Sequence, residues 1–267
     1  MARLTRHGAG LSASPMNSGA PSETASVAVI VPVRDEAECI SEVIDGILVA
    51  ADSFPLEEVI VVDDGSTDAT PQILSARAAA EPRLRVLTHL RSGGQSGAIQ
   101  TAVLAARAPV IAMLDGDGQN PPEELPRLVA PLLSAPGRLG LVAGQRVLRQ
   151  DTVWKRLGSR MANGLRGALL SDGTRDTGCG LKAFRRDAYL MLPYFDHMHR
   201  YLPALFQRDG WDVVHVDVSH RPRIGGRSKY TNLQRALVGA VDLIGVAWLI
   251  RRRKIERTPA DILTGEG

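Results

Sequence analysis

Pro109-Val110-Ile111-Ala112-Met113-Leu114-Asp115-Gly116-Asp117-Gly118-Gln119 is an unbroken apolar run that ends in two carboxylates. A run without polar alternation suits a parallel strand covered on both faces. In open α/β sheets ligands bind beyond the carboxyl ends of such strands, which is where Asp115 and Asp117 emerge. Two residues apart in extended backbone, they point to the same side, and Gly116 and Gly118 allow a tight turn and the close approach of a ligand. Their oxygens, with the Gln119 carbonyl, suit a hard divalent cation such as Mg2+ or Mn2+. Taken alone, the same residues also fit a plain polar turn after a strand.

Working outward, strand-like runs fall at Val27 to Pro32, Glu58 to Val62, Leu84 to Thr88, Val110 to Leu114 and Leu139 to Ala143. Helical patterns fill the gaps between the first four, an alternation that argues for βαβ units. Ile40, Val43, Ile44, Ile47 and Leu48 make one apolar stripe able to cover a sheet. Asp68 is the expected N-cap of the next helix, with Pro71 in its first turn. Ser96 to Arg107 reads as the third helix, and Pro121-Pro122-Glu123-Glu124 as the start of a fourth. The expectation is an α/β fold with a mostly parallel sheet flanked by helices. Beyond Gln145 the pattern loosens into a basic helix (Trp154 to Leu170), a loop through Asp176-Thr177-Gly178-Cys179-Gly180, a short helix and a strand at Val213 to Ser219.

Length and composition, 267 residues and 44% hydrophobic, allow one substantial core. The formal charge is only +3, and Arg251-Arg252-Arg253-Lys254 makes the basic character local, so no nucleic-acid footprint is indicated. Cys39 and Cys179 lack metal spacing and fit a reducing compartment. Residues 1–26 are rich in Ser, Ala, Gly and Pro and lack the apolar core, roughly 7 to 15 residues long, of a secretory signal, so they read as a disordered leader. Residues 255–267 read as a flexible tail. Ala236 to Ile250 would span about 22 Å as a helix, short of the ~30 Å hydrocarbon core, and a central Asp242 would cost about 2.5 to 3.5 kcal/mol on insertion scales. Arg235 and Asp242 share a polar stripe, while Leu237, Val241, Ile244 and Trp248 share an apolar one. With the Arg/Lys cluster that follows, residues 231–254 read as an amphipathic C-terminal helix on a membrane surface with anionic lipid. Core packing or a homo-oligomer interface are the other readings.

Two further polar turns reach the same sheet edge: Pro32-Val33-Arg34-Asp35-Glu36 after the first strand and Asp63-Asp64-Gly65-Ser66-Thr67-Asp68 after the second. Three polar turns converging there mark a ligand site, and an acidic side chain among them can accept from a base N–H or a ribose hydroxyl. Arg91-Ser92-Gly93-Gly94-Gln95-Ser96-Gly97-Ala98 opens the third helix, so its N–H groups are placed to face an anion, though it is not a Walker loop. Lys155, Arg156 and Arg160, with Ser159, lie on adjoining turns of one helix and suit a phosphate; a solvated basic face is the plainer reading. The six histidines are scattered and form no Ser-His-Asp or Cys-His arrangement.

In order along the chain, Pro32 to Glu36, Asp63 to Asp68, Gly93 to Ala98 and Asp115 to Gln119 resemble the family-2 glycosyltransferases of GT-A (Rossmann-like) fold, and within them the dolichyl-phosphate mannosyltransferase and polyprenyl-phosphate glycosyltransferase branch. Gly144-Gln145-Arg146, Trp154-Lys155-Arg156 with Ser159, Asp176 to Phe184, and His220-Arg221-Pro222-Arg223 leading to Gly226-Arg227-Ser228-Lys229-Tyr230 extend the resemblance over about residues 27–230 and on to 250. It implies a metal-dependent inverting transfer of a hexose from a nucleotide sugar, GDP-mannose or a UDP-sugar, to a polyprenyl phosphate at the cytoplasmic membrane face. It implies further that Pro32, Arg34, Glu36, Asp63, Asp64 and Gly94 hold the nucleotide and that Asp115, Asp117 and Gln119 hold the metal and diphosphate. Arg146, Lys155, Arg156 and Ser159 would then receive the lipid phosphate, with Arg223, Arg227 and Lys229 on a mobile loop near the phosphates. Were the acceptor a sugar hydroxyl, a base would be needed, and Asp176 is the candidate. A sugar nucleotidyltransferase would carry a glycine-rich loop after the first strand, which Pro32 to Glu36 is not; a non-catalytic nucleotide-sugar or membrane binding module is the third reading.

Overall fold

The computed structural model describes residues 26–134, 137–146, 166–167, 169–170, 172–221 and 232–253. The leader, the 255–267 tail, and the candidates Lys155, Arg156, Ser159, Arg160, Arg223, Arg227 and Lys229 lie outside the described residues. Seven strands form one sheet: β1 (Val27–Val33), β2 (Leu56–Asp63), β3 (Leu84–Thr88), β4 (Val110–Met113), β5 (Leu139–Arg146), β6 (Lys182–Arg185) and β7 (Asp212–Val218). Their order is β3-β2-β1-β4-β6-β5-β7. The first four are parallel, and β5 runs parallel to β7. β6 lies antiparallel to both of its neighbours, β4 and β5.

β1, β2 and β4 are buried on both faces, with β3 half-buried at the edge, and their alternate residues feed two cores. Ala28, Ile30, Ile60, Val62, Ile111 and Met113 enter one cluster; Val27, Val29, Val31, Val59, Val61, Val110 and Ala112 enter the other. Helices α1 (Ile40–Ala50), α2 (Thr70–Ala80) and α4 (Leu125–Ser134) cover the second cluster through Ile40, Val43, Ile44, Ile47, Leu74, Leu128 and Leu132. Helix α3 (Gly94–Ala105), α5 (Arg186–Leu190), α6 (Leu202–Arg208) and α7 (Asn232–Arg252) cover the first. With helices on both faces, the sheet needs no polar alternation, which is why its strands read as continuous apolar runs.

The structure corrects two local expectations. The N-cap of α2 is Ala69, and Asp68 sits one residue earlier, its Oδ1 accepting from Thr70 N at 2.9 Å. β6 occupies a stretch expected to be loop and short helix; a four-residue strand with Lys182 and Arg185 at its ends carries too short an apolar run to stand out. α7, which starts before Ala236 within the expected residues 231–254, is 21 residues long. Its polar Asp242 faces inward, Oδ2 lying 3.1 Å from His197 Nδ1. Val246 and Ala247 are buried beside it, and Leu243 and Ile250 pack on the core. Val238, Val241, Ile244 and Trp248 stand exposed on the opposite side. The helix thus has two apolar faces, one of them spent on the core. Among the described residues no helix is long and apolar enough to cross a membrane.

Candidate active site

The registers Val33↔Asp63, Asp63↔Thr88 and Ile30↔Met113 bring the carboxyl ends of β1 to β4 to one edge. There the loops surround a cleft of about 350 Å³ lined by Pro32, Arg34, Glu36, Asp64, Gly94, Asp115 and Asp117 of the expected residues, and by Ser92 and Gln95. Asp63 lies beneath it, 1% exposed, with Oδ1 accepting from Ser66 N at 2.9 Å. It therefore supports the turn from below and does not line the cleft.

The three loops are laced together. Asp35 adopts the left-handed conformation (φ 57°), which a short polar side chain tolerates. Its N–H donates to Ser66 Oγ at 2.9 Å, while its Oδ1 accepts from Thr67 N at 2.7 Å. Arg34 Nη1 donates to Ser92 Oγ at 2.9 Å, tying the first loop to the third. Asp64 is the knot: Oδ1 accepts from Gly93 N at 2.7 Å and pairs with His89 Nδ1 at 2.7 Å, and Oδ2 accepts from Ser92 Oγ at 2.6 Å and Gly94 N at 2.9 Å. Burial raises this acid, but the bonds from Ser92, His89, Gly93 and Gly94 outweigh it and hold the carboxyl below its ordinary value. The N–H groups of the glycine-rich loop do face an anion as expected, but that anion is the protein's own Asp64, so the loop is preorganised before any ligand arrives.

At the end of the cleft, Asp115 Oδ1 accepts from Gln95 Nε2 at 2.8 Å and Oδ2 from Asn120 Nδ2 at 3.0 Å. Burial and the neighbouring Asp117 carboxylate push the Asp115 acid up, with Lys182, Asn120 and Arg146 pulling the other way. Lys182 is 4% exposed and donates to Cys179 O behind the acidic loop; burial pushes its ammonium down. Asp117 Oδ1 accepts from Gln119 N at 3.2 Å. Gly116 is required by packing: a Cβ there would lie 2.4 Å from Val33 Cγ1. The Gln119 carbonyl accepts from Arg221 N at 2.9 Å, and Ser219 N and Oγ donate to Glu124 Oε1 at 3.0 and 2.8 Å. The exit of β7 is thereby zipped onto the acidic loop, and Gln119 is spent first on that junction; its carbonyl keeps a second lone pair.

The donor set fits a hard divalent cation. Two carboxylates at the end of a cleft supply the one or two protein oxygens that Mg2+ takes when phosphates and water complete its shell. A full protein cage is not built: among the described residues no three His, Cys, Asp or Glu converge. Arg146 and Asp176 are brought together by a pair of bonds, Nε to Oδ2 at 2.5 Å and Nη2 to Oδ1 at 2.8 Å. Ser92 and Gln95 fall in the glycine-rich loop and Lys182 in the Asp176 to Phe184 motif, but the sequence assigns none of them a role of its own. Asn120 had a signal, standing directly after Gln119, whereas nothing local marks Lys182 as buried, because its partners come from tertiary folding.

A parallel sheet whose carboxyl edge carries an acid-ended cleft, with an antiparallel strand inserted beyond it, defines an α/β protein of GT-A type. The glycosyl transferase family 2 profile matches residues 28–190, and the chain belongs to that family. It is 34% identical over 207 residues to the undecaprenyl-phosphate 4-deoxy-4-formamido-L-arabinose transferase of Edwardsiella ictaluri, covering 76% of this chain and 62% of that protein. It is 31% identical over 238 residues to the dodecaprenyl-phosphate galacturonate synthase of Rhizobium johnstonii, covering 86% and 69%. The chain thus spans about two thirds of the length of these relatives. Its fold matches glucosyl-3-phosphoglycerate synthase from Mycobacterium tuberculosis, solved with Mn2+, UDP and glucosyl-3-phosphoglycerate, at a TM-score of 0.63 and 23% identity over 87% of this chain and 81% of that one.

Proposed function

We propose that the protein transfers a hexose, with inversion, from a nucleotide sugar (GDP-mannose or a UDP-sugar) to a polyprenyl phosphate, using Mg2+ or Mn2+. The observation that carries this reading is the cleft in which the loops after β1, β2 and β3 meet the Asp115–Asp117 pair. The two relatives, one a transferase and one a synthase acting on polyprenyl phosphates, support the acceptor class.

The nucleoside enters between the Pro32 to Glu36 turn and the Asp64-anchored loop, and its diphosphate reaches Asp115 and Asp117. Asp115 and Asp117 would hold a divalent cation there, which would supply Lewis-acid stabilisation of the leaving diphosphate. Gln95 and Asn120 keep Asp115 fixed, so little reorganisation accompanies binding. A phosphate oxygen of the acceptor attacks the anomeric carbon as the bond to the diphosphate oxygen breaks. A phosphomonoester, with a second pKa of about 6, is largely dianionic at neutral pH, so no proton has to be removed. Arg146, Lys155, Arg156 and Ser159 are the residues proposed to receive the acceptor phosphate, with Arg223, Arg227 and Lys229 proposed to act on the phosphates.

Residues 231–254 are proposed to rest on the cytoplasmic face of the membrane through the exposed Val238, Val241, Ile244 and Trp248. Arg252 stacks 5.7 Å from the Trp248 ring centroid, which places cationic and apolar groups together as an interfacial helix requires. A panel of nucleotide sugars assayed against a polyprenyl phosphate with Mn2+ or Mg2+, following nucleoside diphosphate release, tests the whole reading. Release is expected with one donor and abolished by Asp117→Ala with the fold intact. Wild-type turnover in Asp117→Ala refutes the metal assignment, and no turnover with any donor refutes the activity.

A further inference from the structure

We propose that Asp176 is a positioning residue: it holds the Arg146 guanidinium side-on so that the remaining edge faces the acceptor phosphate, and it does not act as the base of the transfer. This rests on the phosphate-acceptor reading above. Arg146 ends β5, its side chain 14% exposed, and Asp176 stands at 9% in the loop ahead of Cys179. Nε and Nη2 each donate to one carboxylate oxygen, at 2.5 and 2.8 Å. The Arg146 and Gly178 backbone N–H groups donate to Oδ2 and Oδ1 at 3.4 and 3.2 Å. A Cβ on Gly178 would lie 2.9 Å from Nη2, so the backbone confines the guanidinium on that flank.

A guanidinium carries five N–H donors in a rigid fork. Asp176 takes the Nε–H and one Nη2–H, which form one edge, and the Nη1/Nη2 edge keeps the geometry that grips two phosphate oxygens at once. That orientation is set before the acceptor arrives. As a base, Asp176 would need an oxygen turned to the nucleophile, yet both oxygens accept from Arg146. Burial raises the acid, but the Arg146 side chain and the Arg146 and Gly178 N–H groups outweigh it and hold the carboxyl below its ordinary value, which further weakens it as a proton acceptor. In the step itself the phosphate dianion forms the new C–O bond, the diphosphate leaves with the electron pair of the old one, and no proton moves.

The test uses the full chain with farnesyl phosphate in detergent micelles and the donor found active. In Asp176→Asn the acceptor KM is expected to rise about tenfold or more, as when a charge-assisted pair is lost. Donor KM should stay within about twofold and the acid limb of the kcat profile should remain. Asp176→Glu should restore part of the acceptor KM. A fall in kcat of about a hundredfold or more at constant acceptor KM, with loss of the acid limb, assigns Asp176 as the base and overturns the proposal. An unchanged acceptor KM, or a lowered one, also overturns it. Should Asp176→Asn fail to fold by circular dichroism, Arg146→Lys keeps the charge without the fork and is expected to raise acceptor KM alone. Equilibrium binding of farnesyl phosphate, with inorganic phosphate alongside, separates the two levels. If the wild type binds it but turns over no donor, the proposed activity fails while the binding loss in Asp176→Asn still reads the positioning role. No binding to the wild type overturns both.

Discussion

Gly180→Ala probes the acidic loop without touching a carboxylate. Gly180 lies outside the positive-φ positions, so alanine meets no backbone penalty there. Its Cβ, however, would stand 2.1 Å from Asp115 Oδ2, 2.5 Å from Asp115 Cγ and 2.6 Å from Asn120 Nδ2. Restoring an ordinary contact moves one side by about 1.3 Å, and a misplacement of about 1 Å at a reacting centre costs on the order of a hundredfold. Asp115 cannot shift that far and keep both the 2.8 Å bond from Gln95 and the 3.0 Å bond from Asn120. Overpacking costs about 1–3 kcal/mol in stability, or a few degrees per kcal/mol in melting temperature for a domain of this size. Mn2+-dependent binding of a nucleoside diphosphate, followed by electron paramagnetic resonance of free Mn2+, is expected to weaken about a hundredfold while the protein stays folded. Gly245→Ala, where a Cβ meets nothing within 4 Å, serves as the control: binding unchanged and stability up by about 0.5–1 kcal/mol. Wild-type Mn2+ and nucleotide affinity in Gly180→Ala at an unchanged melting temperature refutes the placement of the cation on Asp115.

Two further outcomes follow from buried and exposed groups. His199, paired with Ser96 Oγ through Nδ1 at 2.8 Å, is pushed well below 6.5 by burial, with Lys182, Arg200 and His197 adding to the effect. The unfolded chain takes up this proton first, so the contribution is intact above pH ~6.5 and lost as pH falls below it, at up to about 1.4 kcal/mol per pH unit; urea titrations between pH 7 and 5 should show that slope in the wild type and not in His199→Asn. On α7, Ile244→Asp with Trp248→Glu should leave urea stability within about 0.5 kcal/mol per site and abolish co-sedimentation with vesicles of anionic phospholipid. Retained sedimentation would remove the membrane role of this face.

The parallel half was legible because its physics is local. Val27 to Pro32 and Val110 to Leu114 must be buried on both faces to tolerate so many apolar residues in a row, and a polar turn after each strand points to the carboxyl edge. What was illegible depends on partners distant in the chain. Nothing near Gly93 and Gly94 says that their N–H groups close on Asp64, about thirty positions back. The Arg146–Asp176 bonds likewise join a strand end to a loop across thirty positions, so the sequence, which offered Arg146 as a phosphate ligand through the resemblance and Asp176 as a base only for a hydroxyl acceptor, did not show that the two form one unit. β6 needs β4 and β5 on either side before Ala183 and Phe184 count as core.

The two apolar faces of α7 bear on how acceptor and donor would meet. The inward face is held by Tyr201 Oη donating to Gly239 O at 3.2 Å and by Arg208 Nε donating to Leu249 O at 3.2 Å. Asp172 pairs with buried Arg166 at 2.8 and 2.5 Å, and Arg166 lies 5.8 Å from the Tyr201 ring centroid. Arg166 is thus tied to the same tyrosine that anchors α7. Asp196 Oδ1 lies 3.6 Å from where a Cβ on Gly94 would stand, beside the cleft. A helix seated on lipid by its outward face would therefore hold Arg166 and the glycine-rich loop at fixed heights above the bilayer. A phosphate headgroup, confined to the membrane surface, would then be presented to the cleft from one direction, and the cost of orienting two anions against each other would fall on the scaffold before either substrate binds.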